Sequence, residues 1–302
     1  MLASLLSLAV LAAGCGEATT APRPSTDGTG TRAPSTADPS ADPPNDANWL
    51  VGVGTVLDDG DGPELCLGGV ADSLPPQCGG PKVAGWDWST VEDKQSRSGT
   101  IWADGYVLTG TFDGDVFTLA KPPVTLEEYD GPRQAEPDDG GMFSTPCPEP
   151  AGGWRPVDLA RTTQTSLDQV AVEANRLDGF ADLWWDQSIN DSGNEFAMND
   201  PQKLIVNVRV VGDTKAAETA LRQVWGGALC VTQAQRTRAE LSKIQREVND
   251  TPGMLFSDAG RDVVDVQVIH DDGSLQRRMD EEYGPGVVRV ESALVPLRQR
   301  AD

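Results

Sequence analysis

Two stretches of this chain carry one pattern, and it constrains the fold more than any other feature. Val206-Asn-Val-Arg-Val-Val211 aligns with Val264-Asp-Val-Gln-Val-Ile269 at an offset of 58 residues, and the register then runs on without a gap. Asp213 meets Asp271. Ala217, Leu221 and Trp225 meet Leu275, Met279 and Tyr283, Gly226 meets Gly284, and Leu229-Cys-Val231 falls on Val287-Val-Arg289. Each copy reads as a period-2 strand, a helix with apolar residues at i, i+4 and i+8, an aromatic-glycine stop and a second strand. Two such βαβ units predict a ferredoxin-like α+β domain over 158–297. In that arrangement 204–211 and 263–269 are neighbouring strands of one sheet. The helices at about 215–224 and 274–283 lie on one face of it.

Other elements of this domain read locally. Thr237-x-x-Glu240 is a capping box opening an added helix over about 237–248, with Leu241, Ile244 and Val248 on its buried stripe. Thr165-x-x-Asp168 reads as the cap of an earlier helix that buries Leu167, Val170, Ala174 and Leu177. Phe180 to Ile189 reads as an extra strand.

Upstream, residues 49–124 read as short strands punctuated by Gly and Pro: 50–57, 64–70, a stretch near Gly85-Trp-Asp-Trp88, 98–102, 106–112 and 115–120. Asp113-Gly114 signals a two-residue hairpin. This spacing predicts a small all-β barrel or sandwich of the oligonucleotide/oligosaccharide-binding type. The acidic run from Asp58 to Asp61 fails the EF-hand pattern, because position 5 of that loop would be Pro63, and it reads as a turn. Trp86 and Trp88 read as core or rim packing, with a sugar-stacking platform as the functional alternative. Residues 125–157 return to Pro, Gly and acid and read as a domain linker.

The N-terminus speaks of location. Residues 2–13 are an uncharged apolar run of 12, shorter than a membrane span and suited to a signal-peptide core. Leu11-Ala-Ala-Gly-Cys15 resembles the lipobox of bacterial lipoproteins. The resemblance implies a signal peptide over 1–14, cleavage before Cys15 and lipidation of its thiol, with anchoring to the outer face of the cytoplasmic membrane. From Gly16 to Asn48 there is no Val, Ile, Leu, Met or aromatic residue, so 15–48 reads as a lipidated Cys followed by a disordered tether. The phrases GPELCLGG (62–69), SLPPQCGGP (73–81), GWDW (85–88) and WGGALCV (225–231) are similar to those of secreted actinobacterial lipoproteins. That likeness implies envelope localisation and supplies no catalytic residue. With Cys15 acylated, four cysteines remain for an oxidising compartment. Cys66 and Cys78 bracket a short loop and pair most economically, leaving Cys147 with Cys230.

Charge and composition narrow the chemistry. With 47 acidic against 24 basic residues the net charge is −23, which disfavours nucleic acid as a partner. The single histidine, His270, follows a strand and precedes the turn Asp271-Asp-Gly273, and it reads as a strand-end residue. No phosphate loop, dinucleotide fingerprint or metal-ligand spacing occurs, and no catalytic, cofactor-binding or metal residue is nominated. The expectation is therefore a non-catalytic envelope lipoprotein, held at the membrane by lipid on Cys15, presenting a surface to an envelope protein or polymer. The alternative is a secreted hydrolase using a pair of carboxylates.

Overall fold

Residues 50 to 125 alternate short apolar runs with glycine and proline, and they close into a small barrel. The computed structural model describes residues 48–134, 141, 143–191 and 198–298. Cys15, the signal segment 1–14 and the tether up to residue 47 lie outside them. The first strands are β1 (Leu50–Asp58), β2 (Glu64–Cys66), β3 (Lys82–Ala84), β4 (Gln95–Arg97), β5 (Thr100–Phe112), β6 (Val116–Leu119) and β7 (Val124–Thr125). Neighbours run β1-β2-β3-β6-β5, and β5 pairs back onto β1 to close a five-stranded barrel. Only β3 and β6 are parallel around this ring. β4 and β7 extend β5 as short partners.

Val56, Leu65, Ala103, Leu108 and Phe117 are fully buried inside the barrel. So narrow a barrel forces strands together. A Cβ on Gly54 would stand 2.1 Å from the Cys66 carbonyl oxygen, so no larger residue fits there. The Cys66–Cys78 bridge fastens β2 to the loop before β3, as its spacing suggested, with Cα atoms 5.6 Å apart.

Some boundaries differ from the sequence reading. The runs 98–102 and 106–112 belong to one strand, β5, which continues through Gly105 at φ +70°. The Asp113-Gly114 hairpin is longer than two residues, because Phe112 pairs with Phe117. Asp113 Oδ1 accepts from the N–H groups of Asp115 and Val116 and so builds the turn itself. The Asp58–Asp61 stretch is a turn of the same kind, with Asp58 Oδ1 accepting from Gly60 N and Gly62 N.

The second half contains α1 (Gln164–Arg176), β8 (Phe180–Asp186), β9 (Ile205–Val210), α2 (Thr214–Leu221) and β10 (Ala228–Gln233). It continues with α3 (Arg238–Val248), β11 (Met254–Ala259), β12 (Val264–Val268), α4 (Ser274–Tyr283), β13 (Val288–Ser292) and β14 (Val295–Pro296). The expected single ferredoxin-like sheet is not formed. β9 and β12 lie in separate three-stranded sheets, ordered β10-β9-β8 and β11-β12-β13. The reason is a third strand in each copy. β8 pairs antiparallel with one side of β9 while β10 lies parallel on the other, and β11 and β13 flank β12 in the same way. Each sheet is therefore filled from its own copy, and β9 and β12 have no free side with which to pair.

The repeated unit is accordingly longer than βαβ. At an offset of 74 residues α1 falls on α3: Thr163 on Thr237, Leu167 on Leu241, Val170 on Ile244, Ala174 on Val248 and Gly179 on Gly253. Both helices open with a capping box, Thr163 with Ser166 and Thr237 with Glu240. The first cap is thus Thr163 rather than Thr165. Each repeat is helix, strand, strand, helix, strand. Its two helices pack on one face of its sheet around Leu221 and Trp225 in one case and Met279 in the other.

The chain end returns to the barrel. After β13, Leu294 buries itself completely in the barrel core, and β14 pairs antiparallel with β1. Gly52 makes room for it, since a Cβ there would stand 2.6 Å from Leu294 Cδ2. The expected linker also has a structural role in its second part. Cys147 is bridged to Cys230 in the middle of β10, and Trp154 packs with Ile205 and Ala228 on the helix-free face of the first sheet.

Two outcomes follow from these cores. Leu221→Ala and Met279→Ala should each lower unfolding free energy by about 2–5 kcal/mol in denaturant titrations, since both are buried in tight apolar clusters. Replacing Cys147 and Cys230 together by serine should cost about 2–5 kcal/mol, because the bridge closes a long loop. Peptide mapping under non-reducing conditions should recover Cys66 with Cys78 and Cys147 with Cys230.

Candidate functional site

Period-2 alternation gives every strand of the two repeats two faces. In β9, Val206, Val208 and Val210 face the helices, while Ile205, Asn207 and Arg209 face the other way. In β12, Val264, Val266 and Val268 are core, and Asp265 and Gln267 alternate with them on the opposite face. The helix-free faces of both sheets contribute to one open cleft of about 910 Å³. Asp182 and Trp184 from β8, Arg209 and Thr232 from the first sheet, and Asp258, Asp265 and Arg289 from the second line it, with Arg261 in the loop between β11 and β12.

Ion pairs hold the two repeats together across this cleft. Asp182 Oδ1 accepts from Arg238 Nη2 at 2.7 Å and its Oδ2 from Arg261 Nε at 2.9 Å, joining β8 to the start of α3 and to the β11–β12 loop. The Arg261 guanidinium lies 3.7 Å from the centroid of the Trp184 ring. Trp184 Nε1 in turn donates to the Ser144 carbonyl at 3.2 Å, which fixes the ring. Arg209 of the first repeat pairs with Asp262 of the second. Asp262 also accepts from the backbone N–H groups of Gln235 and Arg236, so it ties down the connection between the repeats as well.

Two partly buried carboxyls, one at the seam and one at the end of β8, are shifted downward. For Asp262, burial pushes the carboxyl up, but the hydrogen bond from Arg209 and those from Gln235 and Arg236 prevail and hold it below the usual range. Asp186, under the disulfide-linked segment, is likewise raised by burial and lowered further by bonds from Thr145 and Ser188. Next to it Asn207 is fully buried, with Nδ2 donating to Thr145 Oγ1 at 3.1 Å and to the Ile205 carbonyl at 3.2 Å.

The residues singled out in the sequence fall elsewhere. His270 Nδ1 lies 3.3 Å from the Leu294 carbonyl oxygen. The acids beside it serve α4: Asp271 accepts from Leu275 N and Gln276 N, and Asp272 accepts from Ser274 N. Trp86 and Trp88 stand edge to face at 5.3 Å, half-buried against the barrel core, with Trp88 Nε1 bonded to Asp58. They form no flat platform. Among the described residues no group of three or more His, Cys, Asp or Glu could hold a metal ion. Of the cleft residues, Arg209, Asp265 and Arg289 stand in the sequence as polar positions alternating with valines, a signal that locates a face and not its opposite wall.

Asp262→Asn should weaken the seam. Because the folded-state carboxyl is depressed, its stabilisation is fully present above the ordinary aspartate value near 4 and disappears as pH falls through the lower folded value. At pH 7 the variant should be less stable than wild type by about 1–3 kcal/mol, as for a lost hydrogen bond to a charged group. Denaturation curves at pH 7, 5 and 3 should show the gap intact at the first two and narrowed at the third.

In comparisons with known proteins, the chain matches no family model, no curated protein and no solved structure, which leaves the cleft's own chemistry to carry the functional reading.

Proposed function

We propose that this chain is an exported lipoprotein, anchored to the outer face of the cytoplasmic membrane through lipid on Cys15, whose folded part binds an envelope protein or polymer without transforming it. The lipobox-like Leu11–Cys15 and its likeness to secreted actinobacterial lipoproteins support the anchor, and two disulfides fit an oxidising compartment. The barrel has the small Greek-key build of oligonucleotide/oligosaccharide-binding modules, a likeness of architecture alone. One observation carries the binding reading: the cleft at the seam of the repeats, where side chains from two sheets and a loop converge on one open volume. Its arginines are spent largely on neighbouring carboxylates, an arrangement that shapes a surface.

The hydrolase reading would rest on Asp258 and Asp265, which oppose each other across β11 and β12. Asp265 there is held by Arg289, with Nε 2.7 Å from its Oδ1.

Cys15→Ser should move the protein from the membrane to the soluble fraction and abolish incorporation of labelled fatty acid. Continued membrane association of that variant would reject the anchor. A photoreactive residue at exposed Phe143, on the cleft rim, should crosslink an envelope component, whereas one at exposed Val172 on α1 should not. Breakdown of the captured component, lost in Asp258→Asn, would establish the enzyme instead.

A further inference from the structure

The cleft carries more information than its size. Three arginines, Arg209, Arg261 and Arg289, line it together with three aspartates, Asp182, Asp258 and Asp265, so the lining is balanced in charge. An anion entering it meets Asp258 and Asp265, and a cation meets Arg261 and Arg289. Neither gains a net attraction.

The hydrogen-bonding capacity is not balanced in the same way, because much of it is left over. Asp258 is exposed and its carboxylate has no hydrogen-bond partner among the described residues. Arg289 reaches Asp265 through Nε and Nη2, both onto Oδ1, which leaves Arg289 Nη1 and Asp265 Oδ2 without a hydrogen-bond partner among the described residues. Arg261 bonds Asp182 through Nε while its guanidinium plane rests on Trp184. Unused donors and unused acceptors thus lie side by side. A matching ligand must both donate and accept at many points and carry no net charge.

A peptide backbone donates and accepts, but in fixed rows along a strand, and it docks on sheet edges. The cleft presents staggered side chains from several strands. Hydroxyl groups suit such a surface, since each is donor and acceptor and its hydrogen rotates to suit. Phe143, 62% exposed on the rim, adds an apolar face for ring C–H groups. A volume of about 910 Å³ is large enough for several sugar rings.

We infer that the cleft binds an uncharged, hydroxyl-rich glycan segment. The inference rests on the proposed binding function and names its ligand class.

Titration calorimetry on the full chain in detergent tests it with four probes of matched length: neutral gluco- and manno-hexasaccharides, an anionic hexagalacturonate and a cationic chitosan hexamer. At least one neutral probe should bind ten-fold or more tighter than both charged ones. Its Kd should change less than two-fold between 0.05 and 0.5 M NaCl, as screening acts only on charge. Asp258→Ala should weaken it five-fold or more with the denaturation midpoint unchanged. Stronger binding of a charged probe, a steep salt dependence, or no binding by either neutral probe overturns the glycan assignment. Crosslinking at Phe143 separates this failure from that of the wider reading. A protein captured there would leave the cleft as a binding site and reject the glycan, while no capture at all would reject both.

Discussion

A three-stranded sheet has two faces, and in each repeat the helices cover only one. That constraint shapes the rest of the molecule. The valines of β9 and β12 satisfy the helix layer, and their polar neighbours are left on the far side. A charged strand face in isolation would simply be solvated. Here two such faces are set around one volume because Asp182 and Asp262 bind arginines of the opposite repeat. Pairs this close to a seam are worth more than surface pairs, since removal of one partner leaves the other half-buried and unmatched. The cleft is therefore a product of how the repeats are joined, and each repeat alone supplies only a wall of it.

The remaining free face is closed by covalent means. Cys147 and Trp154 cover Ile205, Ala228 and Cys230, the apolar half of the helix-free face in the first sheet, and the bridge to β10 holds that cover in place. The second sheet shows mostly charged and amide side chains on its corresponding face, with Phe256 left exposed among them and no such cover over it. The barrel meets its own shortage of core differently. A domain this small buries little surface for its length, and Leu294, delivered by the end of the second repeat, completes its interior. β14 then adds backbone bonds along β1. Barrel and second repeat consequently share residues of one core.

Local chemistry was legible in the sequence wherever it depends on a few adjacent residues. The Thr237–Glu240 capping box, the valine alternation, the turn at Asp58–Asp61 and the economical Cys66–Cys78 pairing needed no distant partner to be read. The βαβ copies were legible too, since their register holds without a gap. What failed was the extent of the repeat. The offset changes from 74 to 58 between the first two strands of each copy, so the kinship of α1 with α3 falls out of register. With 180–189 read as an extra strand and 254–259 not read as a strand, the pattern leaves β9 and β12 each a free side, and a shared sheet follows from it. The cleft was illegible for a related reason. Arg209 and Asp262 are 53 residues apart, and nothing in either neighbourhood marks the other as its partner.

The field of the whole chain bears on what can reach the cleft. At a net charge of −23 the protein repels anions at distances of about a Debye length, roughly 8 Å at physiological ionic strength. Basic groups inside a site can overcome such a field when they outnumber the acids, as in a groove built for phosphate or sulfate. In this cleft they do not, because each arginine has an aspartate beside it. A cation would be drawn toward the chain in general, but to its many exposed acids rather than to a lining that also presents guanidinium groups. Only a neutral ligand feels neither effect, and for it the local geometry of donors and acceptors alone decides. The acidic surface and the charge-balanced cleft thus act in one direction: the first discourages charged polymers from lingering near the fold, and the second gives them no reason to stay.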